Sequence, residues 1–370
     1  MRVLVLNSGS SSVKYQLVES DTGERLAGGI VEEVVDHEAA LREVVARIEG
    51  TIERLDQPID AIGHRVVHGG AAFSEPTRID DDVVRVIRDL VPLAPLHNPA
   101  NLAGIEAARV TWPAVAQVAV FDTAFHGTLP PAAYRYAVPA SWFDDHGVRR
   151  YGFHGTSHDH VSARAAEVLG RPREQLDLIV AHLGNGASIT AIRGGRSVET
   201  SMGLSPLEGL VMGTRSGDVD PAIIGYVAAA SGRAEADVLA DLNRSSGLLG
   251  LCGDSDMREI TARVEAGDEA AALALDVFCH RIKKYVGAYV AVLGGCDALV
   301  FTAGIGEHSA PVRARVCGGL EVFGIALDPE RNERSALVIS ADDAPTAVLV
   351  VPTDEEHAIA EQTARVVAIT

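Results

Sequence analysis

The sequence has little positive charge. Its 370 residues include 51 Asp and Glu but only 32 Lys and Arg, which leaves a formal net charge of −19 at pH 7. Such an acidic chain is a poor partner for nucleic acid or an anionic membrane surface, so any phosphate must be held by a local basic site. The acidity is typical of a cytoplasmic protein, and we expect a chain of this length to form two domains.

Cysteine and long apolar runs are also scarce. The four cysteines are widely spaced without a C-x-x-C pair, so we expect small core residues in a reducing compartment rather than a zinc ribbon. The apolar run near the N-terminus is too short for a signal peptide. The stretch from Tyr285 to Cys296 is too short to cross a bilayer and is interpreted as the end of a buried helix.

Two common nucleotide-binding motifs are missing. The sequence contains neither G-x-x-x-x-G-K-[ST] nor G-x-G-x-x-G, which excludes a P-loop. Ser11 to Lys14 matches the S-x-x-K motif of acyl-serine enzymes, which needs its serine at the start of a helix. Because Lys14 begins an alternating strand pattern, that mechanism is not predicted.

One pattern occurs twice, at residues 3–18 and 178–193. Each copy has an apolar strand, a turn of small residues and a strand of alternating apolar and polar residues, which predicts a β-hairpin. Backbone N–H groups in such turns can bind phosphate oxygens. The two copies predict a duplicated domain with two phosphate-contacting loops facing one cleft, as in a kinase without a P-loop.

After each hairpin, predicted strands alternate with predicted helices, which favours a mixed, largely parallel sheet with helices on its faces. A T-x-x-E pattern predicts that Thr353 caps the last helix, that Glu356 folds back on the cap, and that Glu355 is left free. That helix is expected to pack on the first domain. The segment from Asp60 to Gly70 predicts a strand that runs into a glycine turn, and further strands are predicted near 117–122, 298–302 and 346–351. Helices are predicted near 80–91, 98–109, 219–232, 255–267 and 269–293.

Several polar residues fall where such sheets bind ligands, beyond the carboxyl ends of strands. Asp122 follows a buried strand, and Gly304 begins a glycine segment that is equally typical of a tight turn. Arg65 lies beside a glycine turn and Arg215 in a loop of small residues. A solvated arginine is the usual alternative, but a held guanidinium suits a fork aimed at a carboxylate or phosphate.

The segment Tyr151–His160 contains three histidines. Its simplest interpretation is a loop followed by a helix that is capped at Thr156 or Ser157. A zinc cluster is not favoured, because no acidic fourth ligand lies nearby and His158 and His160 face different sides of a helix.

Six ordered blocks show which family the chain resembles: residues 7–12, 64–70, 120–126, 151–158, 182–186 and 212–218. They resemble the signatures of the acetokinase family, in the acetate and sugar kinase, Hsc70 and actin superfamily, and the resemblance covers essentially the whole chain. It implies two duplicated actin-like (ribonuclease H-like) domains of the α/β class, with a cleft between them. Each domain is expected to be a mixed sheet that opens with a β-hairpin and is flanked by helices. The expected domains are residues 1–150 with 356–370, and residues 151–355.

The resemblance also implies an activity. Acetokinases transfer a phosphoryl group directly between ATP and acetate, giving ADP and acetyl phosphate with magnesium or manganese, in a cytoplasmic homodimer. A short carboxylic acid, with a pKa near the 4.3 of Glu, is already ionised at pH 7, so no general base is needed. The difficulty is bringing two anions together, which positioning and positive charge must solve.

By motif position, the resemblance assigns three groups of residues. Asp122, His154 and Arg215 are the implied catalytic residues, and Asn7 and Glu355 the implied magnesium ligands. Asp122 is expected to orient a magnesium-bound water or an arginine rather than to take a proton. Substrate binding is implied for Arg65 and for an apolar pocket around the acetate methyl group, formed by Val67, Leu96, Phe153 and Pro206.

Nucleotide binding is implied for Lys14 and three segments: His182, Leu183, Gly184, Asn185 and Gly186; Asp256, Met257 and Arg258; and Gly304, Ile305, Gly306, Glu307 and His308. His308 stands where the family often has Asn, so base selectivity is left open. The chain also looks shorter than many relatives between Gly29 and Gly63.

Three alternatives stay open at this point. A propionate or butyrate kinase differs from an acetate kinase by one or two methylenes, each worth only about 1–3 kcal/mol of discrimination. A phosphohydrolase on the same fold would need a water-positioning carboxylate where acetate binds, and the apolar pocket argues against it. A non-catalytic sensor is disfavoured by the intact set of candidate residues.

Overall fold

The computed structural model describes residues 1–9, 12–32, 34, 37–55 and 58–369. The chain divides into two compact units. Unit 1 comprises residues 1–127, 153–160 and 354–370, and unit 2 comprises residues 128–152 and 161–353. The domain boundaries expected from the family resemblance stay a prediction.

The strands are β1 (Arg2–Ser8), β2 (Ser12–Glu19), β3 (Arg25–Glu32), β4 (Ala61–Val66), β5 (Thr77–Arg78), β6 (Ala116–Phe121), β7 (Asp177–Leu183), β8 (Ala187–Arg193), β9 (Arg196–Thr200), β10 (Ala298–Thr302) and β11 (Ala347–Val350). The α-helices are α1 (His37–Leu55), α2 (Asp81–Asp89), α3 (Asn98–Thr111), α4 (Pro131–Tyr134), α5 (Ala140–His146), α6 (Gly155–Leu169), α7 (Ala222–Ser231), α8 (Glu235–Arg244), α9 (Gly247–Cys252), α10 (Met257–Glu265), α11 (Glu269–Leu293), α12 (Ala303–His308), α13 (Ala310–Cys317), α14 (Pro329–Glu333) and α15 (Glu355–Ala368). Short 3-10 helices span Val91–Leu93, Ala124–Thr128, Arg173–Gln175 and Glu321–Phe323.

The two units contain sheets with the same core topology. In unit 1 the strand order is β3-β2-β1-β4-β6-β5, and in unit 2 it is β11-β10-β7-β8-β9. In each, an antiparallel three-stranded meander comes first, and its opening strand then pairs in parallel with the next strand of the unit. A further parallel strand follows, β6 or β11. The duplication predicted from the repeated hairpin pattern is therefore confirmed, and β5 is an addition at the edge of unit 1.

Strand β1 is apolar on both faces because helices cover both faces of the unit 1 sheet. Leu4 and Leu6 pack with α1 and α3, whereas Val3 and Val5 pack with α15. Successive strand residues point to opposite faces, so a continuous apolar run is what a doubly covered strand requires. The prediction that the last helix packs on the first domain is confirmed.

Helix α11 is the long helix of unit 2 and packs on β7 and β8. Asp268 caps its first turn by accepting hydrogen bonds from Ala270 N and Ala271 N, and Gly294 ends it with a φ of +73°. Both ends agree with the predicted span of 269–293. Tyr285 to Leu293 is thus the end of a helix, as expected. Among the helices described here, none combines the length and apolarity of a membrane span.

Two local predictions were wrong. The cap of α15 is Asp354, whose side chain accepts from His357 N, and Glu356 pairs with Lys14 instead of folding back on Thr353. Helix α6 begins at Gly155, so neither Thr156 nor Ser157 precedes it as a cap. The glycine segment after β10, for which the sequence leaves a tight turn open as an alternative, forms the short helix α12. Ser10 and Ser11 of the first hairpin turn lie outside the described residues.

Candidate active site

Arg65 and Asp122 form the centre of the unit 1 site. Strands β4 and β6 are parallel neighbours, so the residues at their carboxyl ends lie side by side. Arg65 Nε donates to Asp122 Oδ1 at 2.9 Å and Arg65 Nη2 donates to Oδ2 at 2.8 Å, which is a two-bond fork. The Asp122 side chain is 3% exposed and that of Arg65 19%. Of the two expected roles for Asp122, this geometry matches orientation of an arginine.

The start of α15 brings a second carboxylate to the same arginine. Glu355 Oε2 lies 3.5 Å from Arg65 Nη1. Burial acts to lower the pKa of Arg65, but the negative charges of Asp122 and Glu355 outweigh it and raise that pKa above its ordinary value. Arg65 therefore stays charged, with Nε and Nη2 committed to Asp122.

The implied metal ligands also belong to unit 1. Asn7 lies on β1 opposite Lys14, one residue beyond the pairing of Leu6 with His64 of β4. Asn7 carries an amide near the carboxyl end of β1, and Glu355 carries a carboxylate at the start of α15, 3.5 Å from Arg65 of β4. This donor set fits magnesium, which takes one or two protein oxygens and completes its shell with water and substrate phosphate. Within the described residues, no cluster of three or more His, Cys, Asp or Glu side chains could hold a metal ion.

His154 has an unusual backbone conformation. Its φ is +58°, in the left-handed region that a residue with a side chain rarely adopts, and it lies directly before α6. Gly155 N donates to the carbonyl oxygen of Asp122 at 2.8 Å, and a Cβ at Gly155 would lie 2.3 Å from that oxygen. Only glycine permits this approach, which holds His154 beside Asp122. A strained non-glycine residue at such a position is a recognised mark of a functional site.

Three of the four candidate residues for the apolar pocket belong to unit 1 and one belongs to unit 2. Phe153 is 1% exposed, and its ring meets the His68 ring edge to face, with centroids 5.5 Å apart. Val67 is half-buried next to His68, whereas Leu96 is 46% exposed. Pro206 belongs to unit 2, where its carbonyl oxygen accepts from Arg215 Nη1 at 2.7 Å.

Arg215 lies in the irregular loop that follows β9 in unit 2. It is half-buried, and within the described part of the chain no Asp or Glu pairs with it. Burial lowers the pKa of Arg215, and no carboxylate among the described residues offsets that effect. Gly213 N in the same loop donates to Asn185 O at 3.0 Å, so the loop is attached to the turn between β7 and β8.

The three predicted nucleotide segments meet in a unit 2 cavity of about 690 Å³. That volume is in the range of small-molecule sites. From those segments, Gly184, Asn185, Asp256, Met257, Arg258, Gly304, Ile305 and His308 line it. The cavity lining does not include His182, Leu183, Gly186, Gly306 or Glu307; Glu307 Oε1 instead accepts from Thr353 N at 3.0 Å.

Sequence reasoning missed the lining residues Ser255, Thr261, Ala262, Glu265, Ser309 and Pro311. Ser255 and Ser309 adjoin predicted segments, and the helical spacing from Met257 to Thr261 and Glu265 could have indicated two more.

Asp256 and Arg258 form a local pair at the cavity wall. Asp256 Oδ1 accepts from Arg258 N at 2.9 Å and caps α10, and Arg258 Nη2 lies 2.6 Å from Asp256 Oδ2. Hydrogen bonds from the Arg258 side chain and backbone lower the pKa of Asp256 to about 2. The carboxylate is therefore ionised at neutral pH, and Arg258, which is largely exposed, remains able to face an anionic ligand.

Comparison with known proteins shows to which family the chain belongs. It matches the model of the acetokinase family over residues 31–361. The acetate kinase of Streptomyces avermitilis is 55% identical over 390 residues, which cover 98% of this chain and 96% of the relative. The crystal structure of Porphyromonas gingivalis acetate kinase superposes with a TM-score of 0.95 at 45% identity and covers 99% of each chain. That of a Francisella tularensis propionate kinase gives 0.94 at 40% identity, covering 98% of this chain and 99% of the other. The predicted class, two mixed sheets with flanking helices in an actin-like fold, is confirmed, and the chain belongs to the acetokinase family.

Proposed function

We propose that this protein is an acetate kinase, which transfers the terminal phosphoryl group of ATP reversibly and directly, in line, to acetate. The observation that carries the proposal is the state of Arg215. A half-buried guanidinium without a protein carboxylate is costly, because its lost hydration is not replaced. An incoming anion removes that cost, and a phosphoryl group with its charge spread over three oxygens suits a guanidinium fork.

The acceptor side of the proposal rests on Arg65. Asp122 occupies Nε and Nη2 and thereby aims Nη1, whose contact with Glu355 is a longer 3.5 Å, as the proposed donor to a carboxylate ligand. Val67, Leu96, Phe153 and Pro206 are proposed to surround the methyl group. His154 is proposed to donate a hydrogen bond to the transferring phosphoryl group.

The donor side rests on the unit 2 cavity. ATP is proposed to bind there through the segments 182–186, 256–258 and 304–308, with a contribution from Lys14. Asn7 and Glu355 are proposed to hold Mg²⁺ or Mn²⁺ together with nucleotide phosphate oxygens. When bound, the ion neutralises negative charge on those phosphates. The chain's own part is to present an amide oxygen at the end of β1 and a carboxylate oxygen at the start of α15.

A propionate kinase is the second candidate, and the close superposition with the Francisella tularensis enzyme favours keeping it. The two candidates are separated by incubating the protein with ATP, magnesium and acetate, propionate or butyrate, and trapping acyl phosphate with hydroxylamine. We expect the highest kcat/KM with acetate. A higher value with propionate would make it a propionate kinase, and ADP released without hydroxamate would indicate a phosphohydrolase.

We also propose a cytoplasmic homodimer with α7 at its interface. Every residue of α7 except Ser231 is apolar, yet Tyr226 is 76% exposed and Ile223 38%. A helix that is apolar all round is normally buried. Light scattering after size exclusion should give a dimer for the wild type and for Tyr226→Phe, and a monomer for Tyr226→Asp. A monomeric wild type would contradict the proposal.

A further inference from the structure

Helix α3 presents three residues to the backbone of the unit 1 site. Asn98, Asn101 and Gly104 are spaced three apart and therefore lie near one another on one side of the helix. Both asparagines are buried, with 0% and 3% of their surface exposed. Neither belongs to the acetate-binding residues or to the metal ligands proposed above.

Asn98 binds a single residue of the segment after β4. Its Oδ1 accepts from His68 N at 3.1 Å, and its Nδ2 donates to His68 O at 3.0 Å. These two bonds fix the backbone that follows Arg65 and Val67. Asn98 thus stabilises this segment, which carries the proposed acetate-binding residues Arg65 and Val67 and is called the acceptor segment below. Asn98 makes no hydrogen bond to β1.

Asn101 instead joins two segments. Its Oδ1 accepts from Val67 N at 3.0 Å, and its Nδ2 donates to Ser8 O at 2.7 Å. One buried amide therefore links the backbone of the acceptor pocket to the end of β1, one residue after Asn7. An amide suits this position because it offers one acceptor and one donor, and each side is used.

Gly104 gives an independent sign that α3 and the end of β1 are closely fitted. A Cβ at Gly104 would lie 2.1 Å from Ser8 Oγ and 2.8 Å from Ser8 Cβ. The helix therefore approaches Ser8 more closely than any larger residue would allow. That approach brings Asn101 within reach of the Ser8 carbonyl.

We propose that Asn101 is a positioning residue, which sets the distance between the acceptor segment at Val67 and the metal-binding end of β1 at Asn7. The inference rests on the proposed function, because it assigns those two segments to acetate and to magnesium-bound ATP. Phosphoryl transfer depends on such spacing, since a misplacement of about 1 Å can cost about a hundredfold in rate. Asn98 serves the acceptor segment alone.

Two isosteric variants of Asn101 and one matched control test this role. Asn101→Asp keeps the acceptor for Val67 N but replaces the donor to Ser8 O, so only the β1 side is released. Asn101→Leu releases both sides. Asn98→Asp is the same chemical change on the same side of the helix, but it affects only the bonds to His68.

Steady-state kinetics with each substrate varied give the readout. We expect Asn101→Asp to lower kcat/KM for magnesium-ATP about tenfold and to change KM for acetate less than twofold, as for loss of one buried hydrogen bond. Asn98→Asp should raise KM for acetate and leave KM for magnesium-ATP unchanged. Asn101→Leu should impair both. The proposal is overturned if the two Asp variants affect the same substrate, or if Asn101→Asp lowers Tm without changing the kinetics.

A wild type that forms no acyl phosphate would refute the proposed function, whereas an active wild type with unaffected Asn101 variants would refute only this inference. If the Asn101 variants do not fold, amide hydrogen exchange of the wild type decides. The Val67 amide should be as protected as the amides of β4. Rapid exchange at Val67 beside a protected β4 would overturn the proposal.

Discussion

Arg65 in unit 1 and Arg215 in unit 2 are both half-buried candidates for binding an anion, but their surroundings are opposite. Arg65 has Asp122 in a two-bond fork and Glu355 at 3.5 Å, and these charges raise its pKa. Arg215 has one carbonyl partner, Pro206, and burial lowers its pKa. The folded chain offsets the first charge itself, whereas for the second charge we propose that a ligand does so. Arg65 is thus held by the fold, and the burial of Arg215 is a cost that the proposed anion would offset.

The largest expected effect is on catalysis by Arg215→Ala. We expect kcat to fall by more than a hundredfold, because one preorganised donor is worth roughly 3–4 kcal/mol of transition-state stabilisation. The free energy of unfolding should stay the same or rise, since an unpaired buried charge is removed. Rate measurements and urea denaturation give the two values.

The control is Arg193→Ala, which removes an arginine that is half exposed and bound to Asp177 and to backbone carbonyls. It should leave kcat unchanged. A loss of less than tenfold in kcat for Arg215→Ala, or a clear loss of stability with it, would contradict the contrast with Arg65.

Asp122→Asn, in contrast to Arg215→Ala, should lower the free energy of unfolding. Removing the charge that holds Arg65 leaves that guanidinium without its main partner, and breaking a buried pair costs about 3 kcal/mol. Urea denaturation measures this loss. Glu355→Gln, which disturbs only the longer 3.5 Å contact, should cost less than half as much. If Asp122→Asn kept full stability and activity, Asp122 would not be what orients Arg65.

His64 extends the comparison to pH. It is buried beside Arg65 on β4, its Nε2 lies 2.9 Å from Gln117 Oε1, and burial lowers its pKa from 6.5 to about 4. The unfolded state therefore binds the proton first as pH falls. The free energy of unfolding is therefore not reduced by His64 above pH 6.5. Between pH 6.5 and pH 4 it falls by about 3 kcal/mol because of this residue.

Urea denaturation at several pH values should show this loss in the wild type and a flatter profile in His64→Asn. His280→Asn, which changes an exposed histidine of α11, should retain the wild-type profile. Equal slopes for the wild type and His64→Asn would show that other groups control stability in this pH range.

The smallest expected effect is on stability in Lys14→Met. Lys14 Nζ lies 2.5 Å from Glu356 Oε1, but its side chain is 51% exposed, so breaking the pair should cost less than about 1 kcal/mol. KM for ATP should nevertheless rise, because Lys14 is proposed to contact the nucleotide. Glu356→Gln breaks the same pair without removing the cation and should leave KM for ATP unaltered. Equal kinetics for the two variants would remove Lys14 from the nucleotide site.

Some spans that depend on short-range physics were predicted correctly. The span predicted for β10, 298–302, and that for α11, 269–293, agree with the structure residue for residue. The cap of α15 was misread by one position, because Thr353 and Asp354 are both good N-caps. In the structure Thr353 N donates to Glu307 Oε1, and Asp354 takes the cap. A contact over 46 residues accompanies that choice, and no local pattern contains it.

Most of the candidate site could be proposed from motifs, but its electrostatics could not. The blocks around Arg65, Asp122 and Arg215 identified the residues, and the three nucleotide segments did supply much of one cavity lining. The fork between Arg65 and Asp122 joins residues 57 positions apart. The role of Asn101 carries no sequence signal either, since a buried amide and an exposed one look alike in a helix.

The order of residues was enough to establish the family, the repeated hairpin and the alternation of strands and helices. These depend on residue types, residue periodicity and turn chemistry within a few positions, so short stretches of the sequence are enough to predict them. Which arginine has a protein counter-ion depended on folding, because parallel strands bring Arg65 and Asp122 together, whereas no described carboxylate pairs with Arg215. Charge pairing is a property of distances in space, and the chain acquires those distances only when its sheets form.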